Sequence, residues 1–347
     1  MMKKAPAAKH SRIWILQRVK ERRAYSAFSK KYSQIGFKPG PLQLLKVLFL
    51  TVPKKSDFFN FLTHKAILRE WRANRFPEDL TFKEKVLPPI EILIVAAGKD
   101  IELLPHVIRG AITKTINPVN RITVIIPGID QIQCESVILR TEYDGRIEIL
   151  LEDDVIGEPT RIKIRARFKN RYGWVLQQLL ALEYILKNKS LGVLLMDADT
   201  ILIKEVAWLD RYNHQKLMVG NQYHRPFHQL LNKLIKTDLV PKTTHVTHHM
   251  LIQPEYLREI FQVFSLIDVD NLLELLVEHA NPNEESALSV DFELYGQALL
   301  KLHPNKVELR KFSNISTSRL KVKDFDSLQT DFAGFNSVSM HSYLEEE

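Results

Sequence analysis

The stretch LGVLLMDADTILI, residues 191–203, decides how the rest of the chain is interpreted. Its first six residues have the length and composition of a strand that is buried on both faces. Asp197 and Asp199 follow directly, and open α/β sheets bind ligands beyond the carboxyl ends of such strands. Two carboxylates so placed can turn toward one divalent ion that also accepts the phosphates of a nucleotide. We therefore predict a metal-dependent diphosphate site at this position.

A simpler interpretation of the same tripeptide is open. Asp-X-Asp is a common pattern, and an Asp that follows a strand often only caps a turn or a helix. The apolar residues on both sides of Asp197 and Asp199 favour the functional interpretation.

Strand and helix patterns alternate before this stretch. Apolar runs at 90–97, 121–127 and 146–151 predict strands, and helical periodicity marks 101–115 and 171–187. This alternation indicates an α/β fold with a mostly parallel central sheet flanked by helices. Beyond Asp199 the pattern is mixed, with strands expected at 217–220, 248–253 and 338–341 and helices at 254–264, 268–280 and 291–302.

The Pro88-Pro89 pair is the best candidate for a domain boundary. It separates a basic helical extension, residues 1–87, from a domain at 88–347. Within that domain we expect residues 88–200 to form a nucleotide-binding half and residues 201–347 an acceptor half.

Composition narrows the class of protein. The chain has 347 residues, of which 45% are hydrophobic, so it can bury a large core. Cys134 is the single cysteine, which excludes an intrachain disulfide framework and a cysteine metal site. There is no run of eighteen apolar residues and no pattern of a secretory signal, so the expected compartment is the cytoplasm.

The basic charge of the chain is concentrated at its beginning. The formal net charge is +8, yet Asp and Glu outnumber Lys and Arg after residue 85. Residues 11–31 mix seven cations with Trp14, Leu16, Val19 and Phe28, a pattern typical of an amphipathic helix on an anionic membrane surface. A helix packed on its own domain and a flexible basic tail are the alternatives. Nucleic acid is not expected as a partner, because no nucleic-acid-binding signature accompanies the charge.

Several further residues follow the predicted strands and should share one sheet edge. We predict that they bind the nucleotide cofactor together with the Asp-X-Asp segment: Ala96, Ala97, Lys99, Asp153, Asp154, Asp197 and Ala198. Asp153 and Asp154 could accept hydrogen bonds from a base or a ribose. The alternative for them is a solvated acidic turn.

Residues 243–250, TTHVTHHM, contain three histidines that could be interpreted as a zinc site. The neighbouring β-branched residues favour extended chain, in which the three side chains diverge. We predict instead that His248 and His249 line the acceptor pocket. Histidines buried in the core, with their hydrogen bonds satisfied, are the alternative.

An acid begins a predicted helix in the segment VDFELYG, residues 290–296. A carboxylate at a helix N-terminus is favoured by the helix dipole, so Asp291 could be only a cap. As a general base it would need to reach an acceptor hydroxyl.

Five segments together carry a family resemblance: GWVLQQL at 173–179, MDADT at 196–200, THHMLI at 247–252, VDFELYG at 290–296 and SMH at 339–341. Over residues 88–345 the chain resembles glycosyltransferases with the GT-A fold, and specifically a bacterial family catalogued as a domain of unknown function. The segment 1–85 lies outside the resemblance.

The resemblance implies a function and a set of site residues. Asp197 and Asp199 would hold Mn²⁺ or Mg²⁺ against the diphosphate of a UDP- or GDP-sugar, with His341 as a further metal ligand. Asp291 would be the catalytic base of an inverting enzyme. The family often has an acid where this chain has Val290, which leaves Asp291 and Glu293 as alternatives.

The resemblance also implies an acceptor and a location. The acceptor would be a glycan or a lipid-linked sugar in surface polysaccharide synthesis, at the inner face of a membrane. Three basic residues precede the helix that contains Gly173 and Trp174: Arg165, Arg167 and Lys169. They could bind the diphosphate of the donor, or they could be solvated surface charges.

Two other classes of protein compete with a glycosyltransferase. A haloacid-dehalogenase-like phosphatase or phosphotransferase also places Asp after a buried strand, but it needs Thr or Val where this chain has Ile201. Its motif also begins the domain, whereas here about a hundred residues of alternating strands and helices come first. A non-catalytic protein that binds sugar nucleotides is the second alternative.

Overall fold

The structure is a computed structural model that describes residues 76–83, 86–141, 143, 145–220, 225–236, 243–281, 290–319 and 324–341. The predicted amphipathic helix at 11–31 and most of the predicted extension 1–87 lie outside the described residues. Within the described part of the chain, no helix combines the length and apolar character needed to cross a membrane.

The described residues contain ten strands. In chain order they are β1 (Ile90–Val95), β2 (Val119–Ile126), β3 (Ile147–Leu151), β4 (Val193–Asp197), β5 (Thr200–Leu202), β6 (Gln215–Val219), β7 (His249–Ile252), β8 (Val307–Lys311), β9 (Asn314–Thr317) and β10 (Ser337–Met340).

Ten α-helices also lie in the described ranges. They are α1 (Leu104–Lys114), α2 (Gln131–Ile138), α3 (Glu152–Val155), α4 (Glu158–Phe168), α5 (Tyr172–Lys187), α6 (Arg225–Leu234), α7 (Pro254–Val263), α8 (Val269–His279), α9 (Asp291–Leu302) and α10 (Phe325–Asp331).

The central sheet has the strand order β3-β2-β1-β4-β7. The first four strands are parallel, and β7 runs antiparallel to β4. The predicted fold class, α/β with a mostly parallel central sheet flanked by helices, is confirmed. Because the four parallel strands end at one edge, the loops that follow them lie side by side there.

Alternate residues of the sheet pack on its two faces. Leu93 and Leu195 belong to a core cluster with Leu179 of α5, whereas Ile92 and Leu194 belong to a second cluster with residues of α1. Burial of each such side chain contributes about 1.5–3 kcal/mol relative to exposure. Because core residues pack on both faces of the sheet, these strands are largely continuous apolar runs and do not alternate between apolar and polar residues.

Two smaller sheets complete the domain, with the orders β5-β10-β9 and β6-β8. Strand β10 pairs with β5 in antiparallel register, so that Ser339 lies opposite Thr200 and their hydroxyl oxygens are 2.8 Å apart. This pairing brings the end of β10 beside the start of β5. It therefore places the C-terminal motif SMH next to the Asp-X-Asp segment.

Two of the differences between the predicted and the observed elements concern the helix after β1 and the short strands. The helix predicted over 101–115 is split into a 3₁₀ turn, Gly98–Leu103, and α1, which has Pro105 in its first turn, where a missing N–H costs little. Strands β5, β8 and β9 were not predicted, since they are three to five residues long. Segments this short, two of them polar and only half-buried, carry little hydrophobic periodicity.

Candidate functional site

The two aspartates of the Asp-X-Asp segment lie at the carboxyl end of β4. Asp197 is the last residue of that strand, and Asp199 directly precedes β5. Each carboxylate has an imidazole partner. Nδ1 of His248 lies 3.0 Å from Oδ2 of Asp197, and Nδ1 of His341 lies 3.0 Å from Oδ2 of Asp199. The centroids of the two imidazole rings are 5.5 Å apart, so the four side chains form one cluster.

Main-chain hydrogen bonds reinforce both pairs. The Asp197 N–H donates to the carbonyl oxygen of His248 at 2.9 Å, and the N–H of Met340 donates to the carbonyl oxygen of Asp199 at 2.7 Å. The first pair follows from the antiparallel pairing of β4 with β7 and the second from that of β5 with β10. The sheet topology therefore assembles the cluster from three separate parts of the chain.

Charges within the cluster stabilise one another. Burial raises the pKa of Asp199, but the hydrogen bond and charge of His341 and the charges of His248 and Arg319 outweigh it, so the net pKa is lowered. Burial lowers the pKa of His248, and the hydrogen bond to Asp197 with the charges of both aspartates raises it above the ordinary value. Asp199 is therefore a carboxylate at neutral pH, as a metal ligand must be.

The chemistry of these donors fits a divalent ion. Carboxylate oxygens suit Mg²⁺ and Mn²⁺, and an imidazole nitrogen suits Mn²⁺ better than Mg²⁺. The side chains of Asp197, Asp199 and His341 are between 11% and 27% exposed, so they are reachable from solvent. In the described ranges, no three His, Cys, Asp or Glu side chains are placed to hold a metal ion as they stand.

The end of β1 lies directly beside the aspartates, because Val95 pairs with Asp197. Ala96 is buried, Ala97 is half-buried, and the Lys99 side chain is 66% exposed. A Cβ atom at Gly98 would lie 3.0 Å from Oδ1 of Asp130. Ala97 and Gly98 are therefore the partly exposed small residues of this loop.

Sequence analysis missed two residues that join this loop to the cluster. The guanidinium of Arg319 pairs with the carboxylate of Asp100 and the carbonyl of Lys99, and its Nε donates to the carbonyl of Met340 at 2.9 Å. Burial raises the pKa of Asp100. The ion pair ties the end of β1 to the end of β10, beside His341. No periodicity or motif around Arg319 pointed to it.

The acidic residues that follow β3 differ in exposure, and they differ in a way that the sequence did not predict. Asp153 and Asp154 are exposed, and the Asp153 carboxylate pairs with Arg161. Glu152, which was not predicted, is only partly exposed, and burial raises the pKa of its carboxyl. Asp130, after β2, was also not predicted and adds to that rise. Asp130 and Glu152 are therefore the carboxylates that lie near the ends of β2 and β3. The nucleotide contacts of Asp153 and Asp154 remain predictions.

Asp291 begins α9 and is 8% exposed. Burial raises the pKa of its carboxyl to about 7, and the charges of Asp197 and Glu293 add to the rise. The N–H of Val290 donates to Oε1 of Gln178 at 2.6 Å, which fixes the start of α9 against α5. Gln178 lies in the segment GWVLQQL, so this segment positions Asp291.

Glu293 points into the core instead. It is fully buried, and its carboxylate accepts hydrogen bonds from the Thr244 hydroxyl at 2.6 Å, the His245 N–H at 3.0 Å and the Gln297 amide at 3.0 Å. These bonds hold residues 243–247 against α9. The geometry therefore favours Asp291 over Glu293 as the carboxylate that reaches a ligand.

The three histidines of residues 243–250 point in different directions, as expected for extended chain. Imidazole nitrogens of His245 lie 3.0 Å from the Met218 carbonyl oxygen and 3.1 Å from the Thr243 hydroxyl oxygen. His249 is fully buried between the rings of Trp208 and Phe312, at centroid distances of 5.4 and 4.3 Å.

Neither ring nitrogen of His249 has a hydrogen-bond partner among the described residues. Burial, together with the charge of His248, lowers the pKa of His249 to about 3, so its imidazole is neutral. His249 thus lies in the core and His248 beside a carboxylate at the sheet edge, and the predicted acceptor contacts of the two histidines stay predictions.

The basic residues before α5 have separate roles. The guanidinium of Arg167 donates to the carbonyls of Val277 and Ala280, each at 3.1 Å, and thereby caps the end of α8. Arg165 is exposed, and its guanidinium lies 4.7 Å from the centroid of the Tyr172 ring. Arg165 thus remains open to a ligand, whereas Arg167 is engaged within the fold.

Comparison with known proteins returned structures only. No protein-family model and no curated protein sequence matches the chain. Among solved structures, mouse xyloside xylosyltransferase 1 in its apo form is 8% identical, with a TM-score of 0.43 over 74% of this chain and 99% of that one. The galactosyltransferase LgtC in complex with donor and acceptor sugar analogues is 11% identical, with a TM-score of 0.43 over 74% of this chain and 91% of that one. An active-site mutant of LgtC is 10% identical, with a TM-score of 0.42 over 72% and 86%.

Proposed function

We propose that this chain is a metal-dependent glycosyltransferase that moves a sugar from a nucleotide-diphosphate sugar to a glycan or lipid-linked acceptor. One observation carries the proposal. Two aspartates with imidazole partners lie at the carboxyl end of a parallel sheet, and a third carboxyl group, that of Asp291, has a pKa raised to about 7 by burial and by the charge of Asp197. Such an edge combines an anion-rich metal site with a group suited to proton transfer.

Asp197, Asp199 and His341 are the residues that would hold Mn²⁺ or Mg²⁺. The bound ion would neutralise charge on the diphosphate, which makes the nucleoside diphosphate a better leaving group. Each aspartate is already held by a histidine and by a main-chain hydrogen bond, so binding requires little reorganisation of the backbone. The Arg319–Asp100 pair would keep the loop after β1 in place against this cluster.

The nucleotide would lie along the loops that follow β1, β2 and β3. Of the predicted alanines, the half-buried Ala97 would lie beside the ligand, whereas Ala96 and Ala198 are buried in a core cluster. Asp130 and Glu152 would accept hydrogen bonds from ribose or base, together with the predicted Asp153 and Asp154. Lys99 and Arg165 are exposed cations for the phosphates.

Asp291 would serve as the general base toward the acceptor hydroxyl in an inverting enzyme. A group that titrates near the working pH is ionised often enough to accept a proton and basic enough to take it. Glu293, with its carboxylate occupied by three donors, would hold the loop 243–247 and not act on the acceptor.

The acceptor and the location complete the proposal. A surface polysaccharide or lipid-linked sugar at the cytoplasmic face of a membrane would suit the basic, amphipathic residues 11–31, which lie outside the described part. Deletion of residues 1–32 should then reduce co-sedimentation with anionic vesicles. Equal sedimentation with neutral vesicles, or no effect of the deletion, would contradict a peripheral role.

Titration calorimetry of the purified chain with UDP- and GDP-sugars tests the core of the proposal. Binding should need Mn²⁺ or Mg²⁺ and should be lost in EDTA, and release of UDP or GDP should require an acceptor or water. Equal donor binding in EDTA would remove the metal from the proposal. Hydrolysis of simple phosphate esters without any use of sugar nucleotides would instead indicate a phosphatase, and donor binding without turnover a binding protein.

A further inference from the structure

Two histidines hold the Asp-X-Asp segment in the same manner. His341 contacts Asp199 and His248 contacts Asp197, each through Nδ1 to Oδ2 at 3.0 Å. A main-chain hydrogen bond accompanies each contact, at 2.7 Å beside Asp199 and at 2.9 Å beside Asp197. The family resemblance accounts for His341 alone, so the matching position of His248 needs its own explanation.

The backbone of His248 is held in an unfavourable conformation. Its φ is 64°, in the left-handed region that residues other than Gly adopt uncommonly, Asn, Asp and His more often than the others. Such a residue costs about 1–3 kcal/mol and persists only where the surroundings enforce it. In this conformation the His248 side chain remains 18% exposed beside Asp197, while the next side chain, His249, enters the core.

Anchoring of the loop does not require the His248 side chain. Thr244 and His245 are tied to Glu293, and the Thr247 hydroxyl donates to the His249 carbonyl at 2.8 Å. A glycine at position 248 would satisfy the backbone conformation at lower cost. A strained histidine at this position therefore has a role outside the stability of the loop.

We propose that His248 is a positioning residue of the metal site: its Nδ1 fixes the Asp197 carboxylate so that both aspartates can bind a divalent ion. This inference rests on the metal site of the proposed function and adds a residue to it. Hydrogen-bond partners that orient a ligating carboxylate commonly change metal affinity 10- to 100-fold when they are removed.

Three variants separate this role from a structural one. In His248→Gly the side chain is lost and the backbone strain is relieved. In His248→Asn the amide nitrogen is as many bonds from Cα as Nδ1 is in histidine, and Asn tolerates a positive φ. His214→Ala is the matched control, because Nδ1 of His214 also contacts an aspartate, Asp210, at 2.9 Å but away from the cluster.

The measurement is Mn²⁺ binding to the full chain without donor, by titration calorimetry or by the electron paramagnetic resonance signal of free Mn²⁺. We expect His248→Gly to weaken Mn²⁺ binding about 10- to 100-fold while its melting temperature stays equal or rises. His248→Asn should recover most of the affinity, and His214→Ala should match the wild type.

The outcomes are distinguishable from those of the proposed function. If His341→Ala and Asp199→Ala lose Mn²⁺ but His248→Gly keeps it, the metal site stands and the role of His248 is overturned. A lower melting temperature with unchanged affinity, or no recovery in His248→Asn, also overturns it. If the wild type binds no Mn²⁺, both the role and the metal site fail. Loss of affinity in His248→Gly with recovery in His248→Asn supports the role even if sugar transfer is never observed.

Discussion

Two clusters of carboxylates and histidines in this molecule have the same ingredients and opposite surroundings. At the edge of the central sheet, Asp197 and Asp199 are partly exposed, and each is bonded to one histidine. In the interior, Glu293 is fully buried and accepts three hydrogen bonds, with His245 among its neighbours. We call the first the edge cluster and the second the buried network.

The difference between them separates function from stability. The buried network is satisfied by groups of the protein itself, so removing its carboxylate would leave donors without acceptors in a dry interior. The edge cluster retains solvent access and includes a strained residue, which are properties of sites that await a ligand. Substitutions in the buried network should therefore affect folding, and substitutions in the edge cluster should affect chemistry.

The largest expected effect is that of Asp199→Ala in the edge cluster. Loss of a metal-ligating carboxylate should lower donor turnover by about a hundredfold or more. The free energy of unfolding should fall only modestly, because the stabilising contact with His341 is lost but the Asp199 side chain is partly exposed. Nucleoside diphosphate release and denaturant unfolding measure the two quantities.

Asp197→Ala should behave as Asp199→Ala does, and Glu255→Ala, at an exposed acid in α7, serves as the control. If Asp199→Ala retained most of its activity, the aspartates would not be ligands. The function would then rest on the fold alone.

The next effect concerns the buried network, through Glu293→Ala. The Thr244 hydroxyl, the His245 N–H and the Gln297 amide would lose their shared acceptor. Each unsatisfied buried donor costs about 1–3 kcal/mol, so the free energy of unfolding should fall by several kcal/mol. Urea unfolding followed by circular dichroism checks this, and unchanged stability would show that water satisfies the donors.

Asp291 lies between the two clusters and should respond to pH. Its pKa in the folded protein is about 7, against an ordinary value of 3.8, because burial and the charges of Asp197 and Glu293 disfavour its charged form. The folded state thus binds more protons than the unfolded state between these values, and its stability falls as pH rises from about 4 to 7. Asp291→Asn should remove this loss, so its advantage over the wild type grows across that range and levels off above pH 7.

Activity of the same variant tests the role of Asp291 as base. In an inverting enzyme, Asp291→Asn should abolish transfer and preserve donor binding, and wild-type kcat should rise with pH around 7. Near-normal transfer in Asp291→Asn would point to Glu293 or to a retaining mechanism.

Sequence patterns predicted the central sheet well because its strands are buried on both faces. Each of β1, β2 and β4 contains a run of at least four consecutive buried residues, and a strand of that kind needs no information from distant residues. The position of the Asp-X-Asp segment followed from the same pattern. Strands β8 and β9 were not predicted, because their residues are mostly half-buried and polar. Such strands are defined by pairing with their neighbours in the sheet rather than by hydrophobic periodicity.

The partners within the site were harder to predict because they depend on topology. The contact of His248 with Asp197 requires the antiparallel pairing of β7 with β4, and no local pattern specifies that neighbour. The contact of Arg319 with Asp100 spans 219 residues along the chain. Which of two adjacent histidines faces the edge was also undetermined, since a positive φ at His248 sets the directions of both.

The smallest expected effect is that of His249→Phe, which tests whether the neighbour of His248 has any part in the edge cluster. Its two ring nitrogens lack partners in the described part of the chain, and a buried unsatisfied polar group costs about 1–3 kcal/mol. Phe keeps the ring contacts with Trp208 and Phe312, so the free energy of unfolding should rise by about 1 kcal/mol at pH 7.

The pH dependence of that gain has a defined sign. The pKa of His249 is about 3 in the folded protein against an ordinary value of 6.5, so the unfolded state binds the proton more readily between these values. Above pH 6.5, His249 is neutral in both states, and its titration costs the wild type no stability. As the pH falls below 6.5, the unfolded state takes up the proton and the wild type loses stability, so the advantage of His249→Phe should increase from pH 6.5 toward pH 4. Donor turnover should stay near that of the wild type. A variant that was less stable at every pH would reveal an unseen partner for the imidazole, and a stable variant with lost turnover would place His249 in the edge cluster after all.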